Sequence, residues 1–191
     1  MITELFPITD YSKLQFDTEG LYSITNFIEA DYISKLLLEI FVSKNNLNIL
    51  DGTGGLGGNT ISFSKYFKNV TSIELNKERF EMLKNNINNY NLKNITLKND
   101  DSINFFFDNY KNFDIYFFDP PWGGPSYKKK ENLILSFGDI SLLKIANFLK
   151  ENVKDKLLVY KLPFNYNFNE FNNFDYKLYK INKYFIIIIL F

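Results

Sequence analysis

Between about residues 26 and 44 the apolar positions Phe27, Ile28, Ile33, Leu36, Leu37 and Ile40 recur at helical spacing. The pattern then changes period. Leu47 to Leu50 is a short apolar run that ends at Asp51 and meets DGTGGLGGNT, which reads as strand, glycine turn and helix start. Val70 to Ile73 predicts a second strand, ending at Glu74. Asn76 to about Tyr90 predicts a helix, with Asn76 as its cap and Glu78 in its first turn. Ile95 to Leu97 is a third strand ahead of Asp100 and Asp101, and Asp114 to Phe118 a fourth that runs into DPPWGGPSYKKK. A helix over about 139–152 precedes a fifth strand, Lys156 to Leu162, and Tyr176 to Tyr179 and Tyr184 to Leu190 supply the last two.

Strands alternating with helices, with glycines after the first strand, predict an α/β fold of Rossmann-like type: a mostly parallel seven-stranded sheet flanked by helices. The final pair, separated by Lys180 to Lys183, predicts a hairpin and hence an antiparallel strand in that sheet. The expected organisation is one compact unit, with a helical N-terminal segment (1–45) packing on the ligand site of the domain that follows (46–191). Ligands of such sheets bind beyond the carboxyl ends of the strands. Every unusual segment of this chain follows a strand.

Composition narrows the chemistry. Cysteine and histidine are both absent from the 191 residues, which excludes thiolate nucleophiles, imidazole bases and the usual zinc sites. Lys plus Arg equals Asp plus Glu at 22 each, so a nucleic acid would be held locally, through one pocket and a modest basic patch. The N-terminus lacks the apolar run of a signal peptide, and the apolar tail Phe185 to Phe191 is far shorter than the roughly 20 residues of a membrane span. The tail reads as a buried strand. These features predict an intracellular monomer with no membrane association. Asn, Lys, Ile, Phe and Tyr have AT-rich codons, and their abundance points to a low-GC genome, a viral one included.

Three acids mark successive strand ends. Asp51 opens the glycine turn (Gly52, Thr53, Gly54, Gly55); Glu74, with Leu75 beside it, lies 23 residues further on; Asp100 follows the third strand. A carboxylate at the second position can accept hydrogen bonds from both ribose hydroxyls, and one at the third can accept from an adenine amine. Asp51 suits a cation. The set fits S-adenosylmethionine better than a dinucleotide, whose G-x-G-x-x-G spacing is not met, or a plain flexible turn. After the fourth strand, two prolines stiffen Asp119-Pro120-Pro121-Trp122 and remove two donors. This leaves the Asp119 carboxylate and the carbonyls as acceptors for an amino group, with the Trp122 indole as a stacking face. The plain alternative is a rigid turn with a core tryptophan. Lys128 to Lys130 reads as a solvated face or as a reach toward phosphate.

Taken together, DPPWGGPSY and DGTGGLGGNT resemble the trimethylguanosine synthases, the RNA cap guanine-N2 methyltransferases. KLQFDTEGLYSIT, IELNKERFEMLKNNINNY and LLVYKLPFN look like further family segments, so the resemblance spans nearly the whole chain. It implies a class I methyltransferase that transfers methyl from S-adenosylmethionine to the exocyclic N2 of a 7-methylguanosine cap. Asp51, Gly52, Thr53, Gly54, Glu74, Leu75, Asp100 and Asp119 would bind the cofactor, with Ser23 and Thr25 closing over it. Asp119 and Pro120 would line the target amine. Trp122 would stack on 7-methylguanine, and Asn86 would sit near the cap base or its ribose.

Two positions depart from the family pattern. Asp119 stands where the family has serine, which moves the loop toward the DPPW of adenine-N6 methyltransferases. Phe164 stands where the family has an arginine, and Lys161 or Lys128 to Lys130 would replace that contact with the cap phosphate or base. The alternatives are therefore an adenine-N6 methyltransferase on DNA or RNA, and a non-catalytic cap-binding module, against which the intact acids argue.

Overall fold

A computed structural model describes residues 2–7, 10–41 and 46–191. The chain divides into two compact units, Met1–Phe113 and Asp114–Phe191. Seven of the nine strands among the described residues belong to one mostly parallel sheet with helices around it. No helix among the described residues is long and apolar enough to cross a membrane.

The first unit carries helices α1 (Thr18–Ser23) and α2 (Phe27–Ile40), then β1 (Asn48–Asp51), α3 (Gly58–Tyr66), β2 (Asn69–Ile73), α4 (Lys77–Asn89), β3 (Ile95–Lys98) and α5 (Ser102–Asn109). Its strands run parallel in the order β3-β2-β1, with Asp51 opposite Ser72 and Ile73 opposite Lys98. That register brings the carboxyl ends of all three to one edge. Short polar side chains fix the helix starts. Asp17 accepts from the Gly20 amide, Asn26 from Glu29 and Asn76 from Arg79, each satisfying an orphan N–H of the first turn.

Helix α2 buries Ala30, Ile33, Leu36 and Leu37, and its Ser34 hydroxyl bonds Ser62 of α3 at 2.7 Å. Ile28, expected on the apolar face, is 66% exposed, because it falls outside the stripe running through positions 30, 33 and 37. Residues 42–44, which the pattern assigned to the same helix, lie outside the described residues. Helices α1 and α5 are additions to the sequence pattern. Helix α1 is too short for a periodic signal, and α5 (SINFFFDN) is too aromatic to read as amphipathic, although Asp101 caps it through the Ile103 and Asn104 amides.

The second unit runs β4 (Ile115–Phe118), a minimal hairpin β5 (Ser136–Phe137) and β6 (Ile140–Ser141), α6 (Leu142–Asn152), β7 (Leu157–Pro163), β8 (Tyr176–Ile181) and β9 (Tyr184–Leu190). Its sheet order is β4-β7-β9-β8, with β4 and β7 parallel and β9 antiparallel to both neighbours. All seven β7 residues and Ile186 to Ile189 of β9 are buried. The apolar tail is thus an interior strand. The β8–β9 turn is tighter than the sequence implied, two residues rather than four, with Asn182 at φ 49°, a left-handed conformation that asparagine tolerates.

Candidate active site

In the first unit the site is built on the edge where β1, β2 and β3 end. Asp51 is fully buried, accepting from the Thr60 hydroxyl at 2.6 Å and the Thr53 amide at 3.3 Å. Thr60 in turn bonds Ser72 at 2.8 Å, so the Asp51 carboxylate locks the glycine turn to α3 and β2. The turn lies against its surroundings without space for side chains. A Cβ on Gly54 would come within 2.5 Å of Ser72 Oγ, and one on Gly58 within 2.4 Å of the Thr25 carbonyl. On its other side the turn is open: among the described residues only the Thr53 carbonyl, at 4.0 Å, is near the Cβ position of Gly55. The turn therefore offers bare backbone to a ligand.

Glu74 is 8% exposed and accepts from the Gly55 amide at 3.0 Å and the Asn76 amide at 2.8 Å. Burial pushes its carboxyl above the usual carboxylate range, against the pull of those two amides and of Arg79. Asn99 donates to the carbonyls of Glu74 and Leu75, which ties the end of β3 to that of β2. Leu75 is 69% exposed and Asp100 is exposed, its Oδ1 accepting from the Asp101 amide. Asp51, the glycine turn, Glu74, Leu75 and Asp100 are thus brought to one edge. Acceptors with free lone pairs at Glu74 and Asp100, beside an open backbone turn, fit a ribose diol and an adenine amine. S-adenosylmethionine matches this set.

The N-terminal segment is fastened to the turn. Buried Thr25 accepts from Asn59 Nδ2 at 3.1 Å, and Gly20 packs so closely on Leu56 that a Cβ would meet its side chain at 2.7 Å. Ser23 is exposed and donates to the Gly20 carbonyl at 3.4 Å. Asn86 departs from expectation. It is fully buried, with its amide hydrogens given to the Gln15 and Leu56 carbonyls and its oxygen accepting from the Gln15 amide. Asn86 is a clamp between the segment and the turn, with no donor left for a cap base or ribose. Arg79, which no local pattern singles out, closes the same clasp through Asp17 and Glu19, each at 2.8 Å. The signal for it was the acidic pair flanking Thr18 and the one arginine of the chain.

In the second unit β4 delivers Asp119 to the loop. Pro120 is buried, and Trp122 is half-buried with its ring edge-to-face on Tyr127, centroids 5.1 Å apart. Among the described residues the buried indole N–H has no acceptor in hydrogen-bond geometry, and of the groups that favour the ionised Asp119 it contributes least. Asn165 Nδ2 donates to the carbonyls of Tyr127 and Lys130, pinning the loop from the segment after β7. Lys161 Nζ lies 2.6 Å from Asp119 Oδ2 and is 5.7 Å from the Trp122 ring centroid. Asp119, Pro120, Trp122 and Lys161 therefore cluster. Phe164 is 56% exposed just past β7, and Lys128 to Lys130 are exposed, Lys128 lying over Tyr127. Burial raises the Asp119 carboxyl, and Lys161 opposes that rise.

Comparison with known proteins gives the family and the fold. A protein of Acanthamoeba polyphaga mimivirus, L320, is 37% identical over 202 residues, covering 93% of this chain and 78% of that one. The trimethylguanosine synthase of Schizosaccharomyces pombe is 32% identical over 142 residues, covering 71% of this chain and 56% of its own. Among solved structures, the precorrin-6y C5,15-methyltransferase of Geobacter metallireducens superposes with a TM-score of 0.62 over 94% of this chain and 95% of that one. At 13% identity this likeness is one of fold alone. The family described as RNA cap guanine-N2 methyltransferase matches residues 46–189, and the chain belongs to that family.

Proposed function

We propose that this protein, an S-adenosylmethionine-dependent methyltransferase by family and fold, acts on the exocyclic N2 of a 7-methylguanosine RNA cap. S-adenosylmethionine supplies a methyl group already activated by a cationic sulfur when bound. The chain's own work is then mainly orientation, which can contribute roughly 7–11 kcal/mol to such a transfer. Glu74 and Asp100 would hold the nucleoside of the cofactor, and the Gly52 to Gly55 turn would lie along it. Ser23 and Thr25 would close that side, with Asp51 shaping the turn from behind. Trp122 would stack on the base, and the Asp119 carboxylate with the Pro120 carbonyl would accept hydrogen bonds from the amine. The observation that carries this reading is the Asp119–Trp122 loop itself: a largely buried carboxylate next to an indole braced by Tyr127.

Exposed Lys128 to Lys130 would meet the cap phosphates, and exposed Phe164 would offer an apolar face where the family has arginine. We expect a monomer. A capped RNA substrate would place the protein in nucleus or cytoplasm, and the giant-virus relative supports a viral source. The test is labelled methyl transfer to 7-methyl-GTP, GTP and an adenine oligonucleotide, with product identification. N2-methylated 7-methylguanosine is the expected product. N6-methyladenine would support the alternative that Asp119 favours by completing a DPPW loop. Cofactor binding without any transfer would support a cap-binding module.

A further inference from the structure

We infer that Lys161 is a positioning residue for the methyl transfer: its ammonium holds the Asp119 carboxylate in place as an acceptor for the target amine, and does not contact the RNA. The inference rests on the reading of Asp119 given above. It starts from register. Phe118 of β4 is opposite Tyr160 of β7 in a parallel pair, so Asp119, just past the end of β4, comes beside Lys161, which is still inside β7. Their Nζ–Oδ2 separation is 2.6 Å, with the Lys161 side chain 5% exposed and that of Asp119 17% exposed. Lys161 is the one charged residue in a strand buried along its whole length.

A buried lysine is tolerated when it is paired, and this one is enclosed further by the Tyr184 ring of β9 at 4.9 Å and the Trp122 ring at 5.7 Å. Such an ammonium is poorly placed to meet a phosphate that arrives from solvent, whereas Lys128 to Lys130 are exposed.

The pair has a chemical consequence. Asp119 is largely buried, and the loss of solvent favours its protonated form. A protonated carboxyl directs a hydrogen at the amine, where an acceptor is needed. Lys161 from β7 opposes protonation most strongly, the Trp122 indole of the loop weakly, and the Tyr184 hydroxyl belongs to the ring that packs on Lys161. Serine, which the family has at this position, needs no such partner, because its hydroxyl accepts without being charged. Aspartate in its place makes the neighbouring lysine a requirement.

The experiment uses the single tryptophan of the chain. Trp122 emission is titrated against pH without cofactor or RNA in the wild type, Lys161→Met, Lys161→Arg and Asp119→Asn, and the pH profile of kcat is recorded for the active forms. The expected result has four parts. The wild type shows a transition; Asp119→Asn lacks it; Lys161→Met moves it up by about one pH unit or more; and Lys161→Arg returns it toward the wild-type position. The acidic limb of kcat should move with the emission. An unmoved transition in Lys161→Met overturns the inference. If Lys161→Met fails to fold, Lys161→Arg decides: a wild-type transition with transfer retained supports the inference, and a wild-type transition with transfer lost overturns it. A wild type that transfers nothing to 7-methyl-GTP overturns the substrate reading, and the emission titration still judges the pair.

Discussion

Glu74 is asked to do two things at once. Its carboxylate accepts from the Gly55 and Asn76 amides, which shape the turn, and in the proposed site it also accepts from the cofactor ribose. Glu74→Ala should therefore weaken S-adenosylmethionine binding by roughly 1.5–3 kcal/mol, the range for hydrogen bonds to a charged group, as read by calorimetry. The ionised form is the acceptor. Because burial raises this carboxyl, affinity should begin to fall on acidification at a pH above that of an ordinary carboxylate. Glu74→Gln should flatten that dependence; a wild type whose affinity is level down to pH 4 would remove Glu74 from the ribose.

At Trp122 the structure adds a competitor to the stacking argument, since the Lys161 ammonium already lies 5.7 Å from the indole centroid. A cationic 7-methylguanine should still be preferred, within the roughly 0.5–2 kcal/mol that cation–π attraction supplies. The expected readout is deeper quenching of Trp122 by 7-methyl-GTP than by GTP. Equal quenching would speak against the cap reading.

At the scale of elements, the N-terminal segment is held by side-chain fastenings to α4 and the glycine turn. Asn86 joins Gln15 to Leu56, and Arg79 joins α4 to the cap of α1. Asn86→Ala would strand the buried Leu56 carbonyl and leave the partly buried Gln15 carbonyl and amide without their partner, and should cost about 1–3 kcal/mol in a denaturation experiment. Arg79→Ala should cost less, about 1 kcal/mol, because Asp17 is partly exposed and Glu19 mostly so. Hydrogen exchange should then rise around residues 14–25, and cofactor affinity should fall with it. Exchange that stays at the wild-type rate would show that packing of Gly20 and Leu14 suffices.

The Arg79 hydrogen bonds hold the Asp17 carboxyl below the usual range. Its contribution is thus complete above about pH 4, where an unfolded aspartate is ionised, and is lost as pH falls through the lower folded value. Most of these elements were legible as patterns. Helices α2, α4 and α6 and the strands of the sheet follow from periodicity, and Asn76 was readable as a cap. Helix α1 was not legible, because six residues hold too few turns for a stripe. The clasp left only a faint trace, the acidic pair flanking Thr18 and a single arginine, because its partners lie 60 residues or more apart.

For the whole molecule, the balance of 22 basic and 22 acidic residues predicts weak, local RNA binding. If Lys128 to Lys130 meet three phosphates, the logarithm of affinity should fall against the logarithm of salt with a slope near −2, at about 0.7 per neutralised phosphate of a single strand. Changing the three lysines to alanine should flatten that slope and leave S-adenosylmethionine binding alone. A slope steeper than about −5 would mean a longer RNA track than this surface offers.

The sequence by itself determined the fold class, the three acids at the strand ends, the aromatic loop after β4 and, through them, the family. These depend on local periodicity and on residues that act in runs. Tertiary structure alone decided the partners. Side-by-side Asp119 and Lys161 come from the register of β4 on β7, 42 residues apart in the chain, and no local pattern encodes register between parallel strands. In the same way the resemblance puts Asn86 near the cap base or its ribose, and burial against Gln15 and Leu56 makes it a clamp. Hydrophobic pattern says which face of an element is inside; only packing says what each polar group on that face must bond.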